Sequence, residues 1–314
     1  MTSSSPRVSI GLPVYNGEKY LARALHSLVS QDFEDFELIL SDNASADSTE
    51  AICREFAAKD RRVRYYRNET NIGATKNYNR VFELAHGEFF KWASHDDECH
   101  PSLIRRCVER FDQAPPSAVL VYPKADIIDD LGQVKEPSLD RIDSPSRWPH
   151  IRLAKVIWWV VFANALWGVV RSTALRRTRL MGVLEADLVL LTELSLQGQL
   201  IEIPEVLYWQ RRHAGSAIPS AASEEALLAW HDPERAKERI LLPHWVRTYL
   251  EYFKGVQHAH LSVGNRILCS AAVPSVGLLQ AFLRWTGPFR QRHGLYRKST
   301  SKVHGTQSQA GASR

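Results

Sequence analysis

Short apolar runs alternate with amphipathic segments over the first 122 residues. In residues 20–29 the apolar side chains recur every three or four positions, which is the spacing of one buried helix face. The runs between such segments are rich in β-branched and aromatic residues, as buried strands are. The pattern predicts strands over residues 8–13, 36–40, 63–66, 88–93 and 118–122. It predicts helices over residues 20–29, from Asp47 onward, over 73–85 and over 101–111.

The second half of the chain has a less regular pattern. We expect helices over residues 147–160 and 187–197, an extended segment over 166–170, and two short strands, LIEIP and VLYWQ. From residue 223 the pattern is helical to about residue 285. We therefore expect a domain over residues 1–222, a helical region over 223–285 and a disordered basic tail over 286–314.

Strands separated by single helices predict parallel βαβ units with helices on both faces of the sheet. The expected fold is α/β, with a mostly parallel sheet and a C-terminal helical appendage. Ligands of such sheets bind outside the carboxyl ends of the strands. This rule selects four loops, residues 13–17, 41–45, 68–76 and 94–98.

The charge of the chain is unevenly distributed. Its 314 residues include 40 Lys and Arg and 35 Asp and Glu, for a net charge of +5. Residues 286–314 hold six of the positive charges and no acidic residue, so the rest of the chain is nearly neutral. A neutral body argues against a nucleic-acid-binding protein, whereas a basic tail suits an anionic membrane surface. The six are Arg290, Arg292, Arg297, Lys298, Lys302 and Arg314.

Cysteine spacing and apolar stretches bear on location. The four cysteines lack the spacing of a zinc or redox site, and the N-terminus lacks a signal peptide, so we expect reduced thiols in a cytosolic protein. Residues 156–170 are apolar but too short to span a bilayer. Residues 267–283 contain Pro274 and lie at the lower length limit, which favours a buried or interfacial helix.

The loop after the fourth strand reads Ser94-His95-Asp96-Asp97-Glu98. Three successive carboxylates repel one another unless a cation is bound. Oxygen ligands of this kind suit Mg²⁺ or Mn²⁺, which complete their shells with substrate phosphates. The alternative interpretation is a solvated acidic loop before the helix.

The loop after the second strand contains Asp42, whose carboxylate is suited to accept the N–H of a base or the hydroxyl of a ribose. The alternative is a turn and helix cap, which Asp, Asn and Ser all favour. Tyr15, after the first strand, has a ring suited to stack on a base. The chain lacks Gly-x-Gly-x-x-Gly, the P-loop motif and the Gly-x-Ser-x-Gly elbow, which disfavours dinucleotide oxidoreductases, P-loop phosphotransferases and α/β-hydrolases.

Residues 7–49, RVSIGLPVYNGEKYLARALHSLVSQDFEDFELILSDNASADST, resemble the opening of inverting family-two glycosyltransferases with the GT-A fold. Several further motifs follow in the same order, including Asn71-Ile72-Gly73 and the acidic loop. The resemblance covers about residues 7–215. It implies a GT-A domain that transfers a sugar from a nucleotide-diphosphate donor.

The resemblance also implies roles for particular residues. Asp96, with Asp97, would hold Mn²⁺ or Mg²⁺, and a second register would bring in His95. The catalytic base would be Asp187, with Glu185 as second choice. The nucleotide would contact Pro13, Val14, Tyr15, Asn16, Asp42, Asn43, Lys76 and Asn77. The diphosphate and the acceptor would contact Arg211, Arg212, His213 and Trp167.

Two departures from the family pattern refine the expected activity. Ser94 stands where the family usually has the first aspartate of Asp-x-Asp, which implies weaker or more diphosphate-dependent metal binding. The Gln-x-x-Arg-Trp motif of processive synthases is absent, which implies addition of a single sugar.

We therefore expect inverting, metal-dependent transfer from a UDP-sugar to a hydroxyl of a glycan or lipid-linked acceptor. We also expect peripheral association of the C-terminal region with the inner, anionic face of the cytoplasmic membrane. The alternatives are a nucleotidyltransferase and a non-catalytic nucleotide- or sugar-binding relative.

Overall fold

A computed structural model describes residues 5–160, 163–182, 185–213, 224–233 and 242–286. Its centre is a nine-stranded sheet with the order β3-β2-β1-β4-β8-β6-β9-β5, and β7 pairs with β6. The strands are β1 Val8–Val14, β2 Phe36–Asp42, β3 Val63–Arg67, β4 Phe89–Trp92, β5 Glu98–Cys99, β6 Ala118–Ile128, β7 Val134–Pro137, β8 Val169–Arg171 and β9 Gln199–Arg211.

Helices cover both faces of this sheet. The apolar side chains of α1 and α4 pack with one face and those of α3, α5 and α7 with the other. The helices are α1 Glu18–Val29, α2 Thr49–Lys59, α3 Ala74–Glu83, α4 Leu103–Gln113, α5 Pro149–Trp159, α6 Ser172–Leu175, α7 Ala186–Gln197, α8 Glu224–His231, α9 His244–His258 and α10 Val263–Thr286.

The strand directions confirm the expected mostly parallel α/β sheet. The pairs β1–β2, β1–β4, β2–β3 and β6–β9 are parallel, while β8 runs antiparallel between β4 and β6. The carboxyl ends of β1 and β2 are in register, with Val14 opposite Asp42. The loops that follow β1, β2, β3 and β4 therefore meet at one edge of the sheet.

Two local predictions were wrong. The two short strands expected over residues 200–210 form the single strand β9. One of the shifts in its register with β6 falls between Pro123 and Lys124, opposite the segment of β9 that contains Pro204. A β-bulge accommodates a proline, which has no N–H to donate to the ladder. The segment expected to be extended over 166–170 begins as a 3₁₀ turn, Asn164–Trp167, and only then enters β8.

The C-terminal helices pack directly on the sheet domain. Side chains of α9 and α10 share a buried apolar cluster with those of α5 and α7. Arg179 forms ion pairs with Glu193 of α7, at 2.6 Å, and with Glu251 of α9, at 2.8 Å. Across the described residues, no helix has the length and apolarity needed to cross a membrane. The expected tail from residue 287 onward lies outside the described residues.

Candidate functional site

Hydrogen bonds join the loops after β1 and β2. The backbone N–H of Asn16 donates to Ser45 Oγ at 2.9 Å, and Asn16 Oδ1 accepts the N–H of Ala46 at 2.9 Å. The N–H of Gly17 donates to Thr49 Oγ1 at 2.8 Å. Asn16 has a φ of 49°, a left-handed conformation that asparagine tolerates better than most residues. The two loops therefore form one rigid wall.

A buried network of amides connects the loops after β2 and β3. Asn43 Nδ2 donates to Asn71 Oδ1 at 2.8 Å, and Asn43 Oδ1 accepts from Asn68 at 2.9 Å. Asn77 Oδ1 accepts the Ser41 hydroxyl at 2.7 Å, and its Nδ2 donates to the Ser41 carbonyl at 2.9 Å. Both amides are thus committed to the protein. Asn43 and Asn77 therefore support the loops after β2 and β3 from inside the protein.

Asp42 is also buried. Its Oδ1 accepts the N–H of Ser45 at 2.8 Å, and its Oδ2 accepts from Tyr65 at 2.9 Å and from Arg67. We expected this carboxylate to accept a base directly. The structure instead gives both oxygens protein donors, and Arg67, which is 33% exposed, covers the carboxylate on the outside.

The side chains that reach the surface of this wall are fewer than predicted. Tyr15 is 44% exposed, and Asn16 and Lys76 are exposed as well. Pro13 and Val14 are buried at the carboxyl end of β1. Of the predicted nucleotide residues, Tyr15, Asn16 and Lys76 are therefore the ones placed to meet a ligand.

The acidic loop separates its two aspartates. Asp96 accepts hydrogen bonds from the Ser94 hydroxyl and from His213, whose Nε2 lies 3.1 Å from Asp96 Oδ2. Burial by itself would raise the pKa of Asp96. The bond from His213, the charge of His95 and the Ser94 hydroxyl outweigh burial and lower the pKa to about 2. Asp96 is therefore ionised and faces His213.

Asp97 points in the opposite direction, contrary to the expectation that it shares a metal with Asp96. Its Oδ1 accepts the N–H of Arg211 at 2.7 Å, and its Oδ2 accepts the Tyr208 hydroxyl. Burial and then the charge of Asp96 raise the pKa of Asp97 well above its ordinary range. Asp97 fastens the acidic loop to β9.

Arg211 likewise departs from the expected contact with diphosphate. Its guanidinium is fully buried and donates to the carbonyls of Asp96, at 2.9 Å, and of Asp129, at 2.6 Å, and to the Glu98 carboxylate. Arg212 is half-buried, with Glu136 3.5 Å away. Of the predicted residues in this segment, His213 is the one whose side chain bonds the Asp96 carboxylate.

The His95 ring packs on the loop after β1. A Cβ added to Gly17 would lie 2.9 Å from His95 Cδ2, so only glycine fits beneath the ring. His95 therefore contacts the loop after β1, and its charge also acts on Asp96. Within the described ranges, no group of three or more His, Cys, Asp or Glu side chains is arranged to hold a metal ion.

Trp167 lies in a stack that starts at the acidic loop. Its ring is nearly parallel to that of Tyr208, with centroids 6.0 Å apart, and lies 6.5 Å from that of Tyr78. The buried Lys91 donates to the carbonyls of Trp167 and Trp92. The 3₁₀ turn is thereby fixed beside β4, the strand that precedes the acidic loop.

Asp187 occupies the first turn of α7, as expected, and accepts the N–H of Leu188 at 2.9 Å. We expected the helix N-terminus to favour its ionised form. Burial and the charge of Glu185 prevail and raise the pKa of Asp187 to about 6. Glu185 itself has a φ of 43°, a strained conformation for a residue other than glycine.

Tyr78 was not among the predicted site residues, yet it lies near both the acidic loop and the start of α7. Burial raises the pKa of its hydroxyl, and the charges of Asp96, Asp97 and Asp187 raise it further. The carboxylates of the acidic loop and of α7 therefore lie close enough to the Tyr78 hydroxyl to act on it electrostatically. Tyr78 lies between Asn77 and Asn79 on α3, next to the predicted residue Asn77.

Residues 9–160 match the model of Glycosyl transferase family 2. This match assigns residues 9–160, just under half of the chain, to that family. An uncharacterized glycosyltransferase of Rickettsia typhi is 33% identical over 125 residues, which are 40% of this chain and 38% of that protein.

A second relative has a more informative name. The GalNAc(5)-diNAcBac-PP-undecaprenol beta-1,3-glucosyltransferase of Campylobacter jejuni is 34% identical over 109 residues, 34% of this chain and 35% of that protein. The matched region of this chain thus spans little more than a third of the length of these relatives. The similarity describes the domain, whereas the activity of the whole chain remains a proposal.

Solved structures confirm the GT-A fold. S. aureus TarS in complex with UDP-GlcNAc superposes with a TM-score of 0.63 at 18% identity, covering 86% of this chain and 72% of that one. The mannosyltransferase PcManGT of Pyrobaculum calidifontis, in complex with GDP-Man and Mn²⁺, has a TM-score of 0.52 at 15% identity, covering 96% and 81%.

Proposed function

We propose that this chain transfers one sugar, with inversion, from a UDP-sugar to a hydroxyl of a glycan or lipid-linked acceptor. The observation that carries the proposal is a pair of carboxylates, Asp96 and Asp187, that both act on the Tyr78 hydroxyl and have pKa values shifted in opposite directions. Asp96 has a pKa lowered to about 2, and Asp187 has a pKa raised to about 6. Titratable groups whose environments push their pKa values apart are typical of sites with divided chemical roles.

The donor nucleotide lies against the wall formed by the loops after β1, β2 and β3. The exposed Tyr15 ring stacks on the base, and Asn16 and Lys76 contact the ribose and the phosphates. The buried amides of Asn43 and Asn77 keep these loops in place. Asp42 acts through Arg67, which it orients toward the nucleotide.

The chemistry of Asp96 and His213 fits a divalent cation held jointly with the diphosphate. Their nearest atoms, Oδ2 and Nε2, are 3.1 Å apart. These residues would offer an ion one carboxylate oxygen and one imidazole nitrogen. An imidazole nitrogen favours Mn²⁺ over the harder Mg²⁺. When bound, the ion stabilises negative charge on the departing diphosphate.

Asp187 acts as the general base. As the acceptor oxygen forms its bond to the anomeric carbon, the hydroxyl proton passes to the Asp187 carboxylate. The bond from the anomeric carbon to the diphosphate oxygen breaks, and its electron pair leaves with UDP. A base with a pKa of about 6 is largely ionised at pH 7 yet still basic enough to take this proton. Attack opposite the leaving group inverts the anomeric centre.

The acceptor lies between Trp167 and the start of α7. The side-chain amide of Asn164 is buried there without a hydrogen-bond partner among the described residues, so a hydroxyl of the acceptor sugar would satisfy it. The Campylobacter jejuni relative is named for an undecaprenol-linked substrate. That name supports a lipid-linked acceptor, and with it a location at the inner face of the cytoplasmic membrane.

A donor screen tests the proposal. Purified protein is incubated with a panel of UDP-, GDP- and dTDP-sugars, with Mn²⁺ or EDTA, and the release of each nucleoside diphosphate is measured. Because a ligand of the folded state raises its melting temperature, thermal shifts with the same nucleotides report binding independently of turnover. The proposal requires UDP to give the largest shift and a UDP-sugar the fastest release. Binding without turnover of any sugar would instead identify a non-catalytic relative.

A further inference from the structure

The solvent side of α10 is apolar along its described length. Val263, Ile267 and Leu278 are 77%, 63% and 72% exposed, and they recur at the spacing of one helix face. We call the exposed side chains the outer face of α10, and none of its members is charged. They are Val263, Gly264, Ile267, Leu268, Ala271, Pro274, Ser275, Leu278 and Leu279.

The opposite side of the same helix packs on the protein. Cys269 and Val273 are buried in the cluster shared with α5 and α7, and Gln280 Nε2 donates to the carbonyl of Ile157 at 3.1 Å. The helix therefore has a packed inner side and a second apolar side for which the described residues offer no partner. Exposed apolar patches of this kind mark contact sites.

The neighbouring helix α9 extends this surface at one end. Gln257 bonds Ser270 and Tyr249 bonds Gln280, so α9 and α10 run antiparallel. Trp245, one turn before Tyr249 on α9, is 66% exposed. Tryptophan is enriched where apolar lipid meets water.

The sequence that follows α10 has a complementary charge. Residues 287–314 contain six Lys and Arg and no acidic residue. An uncharged helix face next to a basic segment fits an anionic lipid surface, where acyl chains take the apolar side chains and headgroups attract the cations. A second copy of this chain would instead bring two like-charged segments together.

We propose that the outer face of α10 docks on the surface of an anionic bilayer, with the basic residues that follow it drawn to the lipid headgroups. Docking through the side of a helix needs no membrane span, in agreement with the described helices. α10 packs on α5. The inference stands apart from the identity of the sugar or the acceptor.

Vesicle flotation tests it with the full chain. Wild type is compared with Ile267→Glu/Leu278→Glu and with a matched control of equal charge change at the distant β6–β7 hairpin, Leu131→Glu/Val134→Glu. A further variant replaces Arg290, Arg292, Arg297 and Lys298 by Gln. Vesicles contain phosphatidylcholine with or without 30% phosphatidylglycerol, and circular dichroism confirms that each variant is folded.

We expect wild type and the hairpin control to float with anionic vesicles. The α10 variant and the tail variant should each bind at least tenfold more weakly, and binding should fall in 0.5 M salt. Full binding by the α10 variant would overturn the assignment of the outer face. Absence of wild-type binding, with a dimer that Ile267→Glu/Leu278→Glu converts to monomer, would make this face a contact between copies. Neither readout depends on sugar transfer.

Discussion

The proposed donor side and the proposed acceptor side differ in how their polar groups are satisfied. On the proposed donor side, the amides of Asn43 and Asn77 have protein partners, and Asp42 accepts from three donors. On the proposed acceptor side, the side-chain amide of Asn164 has no partner among the described residues, and Asp187 accepts the backbone N–H of Leu188. The polar groups of the first side are held in place by the protein itself, whereas the second side has polar groups that a ligand could bind.

The same difference sets the two pKa values. Donors crowd Asp96 and favour its anion, while burial and Glu185 disfavour the anion of Asp187. A permanently ionised group suits the binding of a cation and a diphosphate. A group that accepts and releases a proton near neutral pH suits catalysis. The contrast therefore predicts that substitutions on one side affect binding and those on the other affect rate.

The largest effect is expected on the acceptor side. Asp187→Asn should lower turnover by ~10²–10⁴, since the acceptor proton would have no base. Affinity for UDP should be unchanged, and thermal stability should not fall because a disfavoured buried charge is removed. Turnover assays and calorimetry measure the two quantities. Near-normal turnover in Asp187→Asn together with loss in Glu185→Gln would move the base to Glu185.

The next effect concerns the donor side. Asp96→Ala should abolish the strengthening of UDP binding by Mn²⁺, a loss of ~10–100-fold or more, because outer groups of a metal site alone have effects of that size. His213→Ala should act in the same direction. Isothermal titration with Mn²⁺ or with EDTA measures the difference. Equal UDP affinity of wild type in both conditions would remove the metal from the mechanism.

The amide network should matter for folding more than for chemistry. Asn77→Leu removes the hydrogen bonds that Asn77 makes with the Ser41 hydroxyl, the Ser41 carbonyl and the Asn68 amide, which costs about 1–3 kcal/mol. Urea unfolding should show this loss. Gln257→Leu, which removes a hydrogen bond on the exposed surface of α9, should change stability by less than ~0.5 kcal/mol. Equal stability of the two variants would contradict a preorganised donor wall.

The pH dependence should report Asp187. Its pKa is raised in the folded chain from 3.8 to about 6. The protonated form therefore stabilises the fold fully below about pH 4, and this contribution is lost as pH rises through 6. Activity has the opposite dependence, because the base must be ionised. We expect kcat/KM to fall about tenfold per pH unit below pH 6, and a profile with no such limb near pH 6 would refute the assignment.

The smallest effect is expected at Asn164. Asn164→Leu should raise the KM for the acceptor about two- to tenfold, the contribution of a single hydrogen bond. Donor affinity should stay the same, as for Asp187→Asn. Initial-rate kinetics with varied acceptor at saturating donor separate the KM for the acceptor from the affinity for the donor. A change in donor KM alone would place Asn164 on the other side of the cleft.

Much of this organisation followed from the sequence alone. The alternation of apolar runs and helical periodicity predicted the parallel core of the sheet, because strand and helix periods are local properties of the chain. The strand-end rule placed the functional loops, and ordered motifs such as Pro13-Val14-Tyr15-Asn16 indicated the family. Asp187 at the start of a helix was also readable from its local context.

The tertiary structure decided which polar residue faces the ligand. Sequence placed Asp96 and Asp97 together, but the backbone turns between them, so one faces His213 and the other binds Tyr208. Arg211 was predicted to contact the diphosphate, but its guanidinium instead donates hydrogen bonds to backbone carbonyls. Neither outcome is local, because a side chain's direction and desolvation depend on strands and loops about a hundred positions away in the sequence.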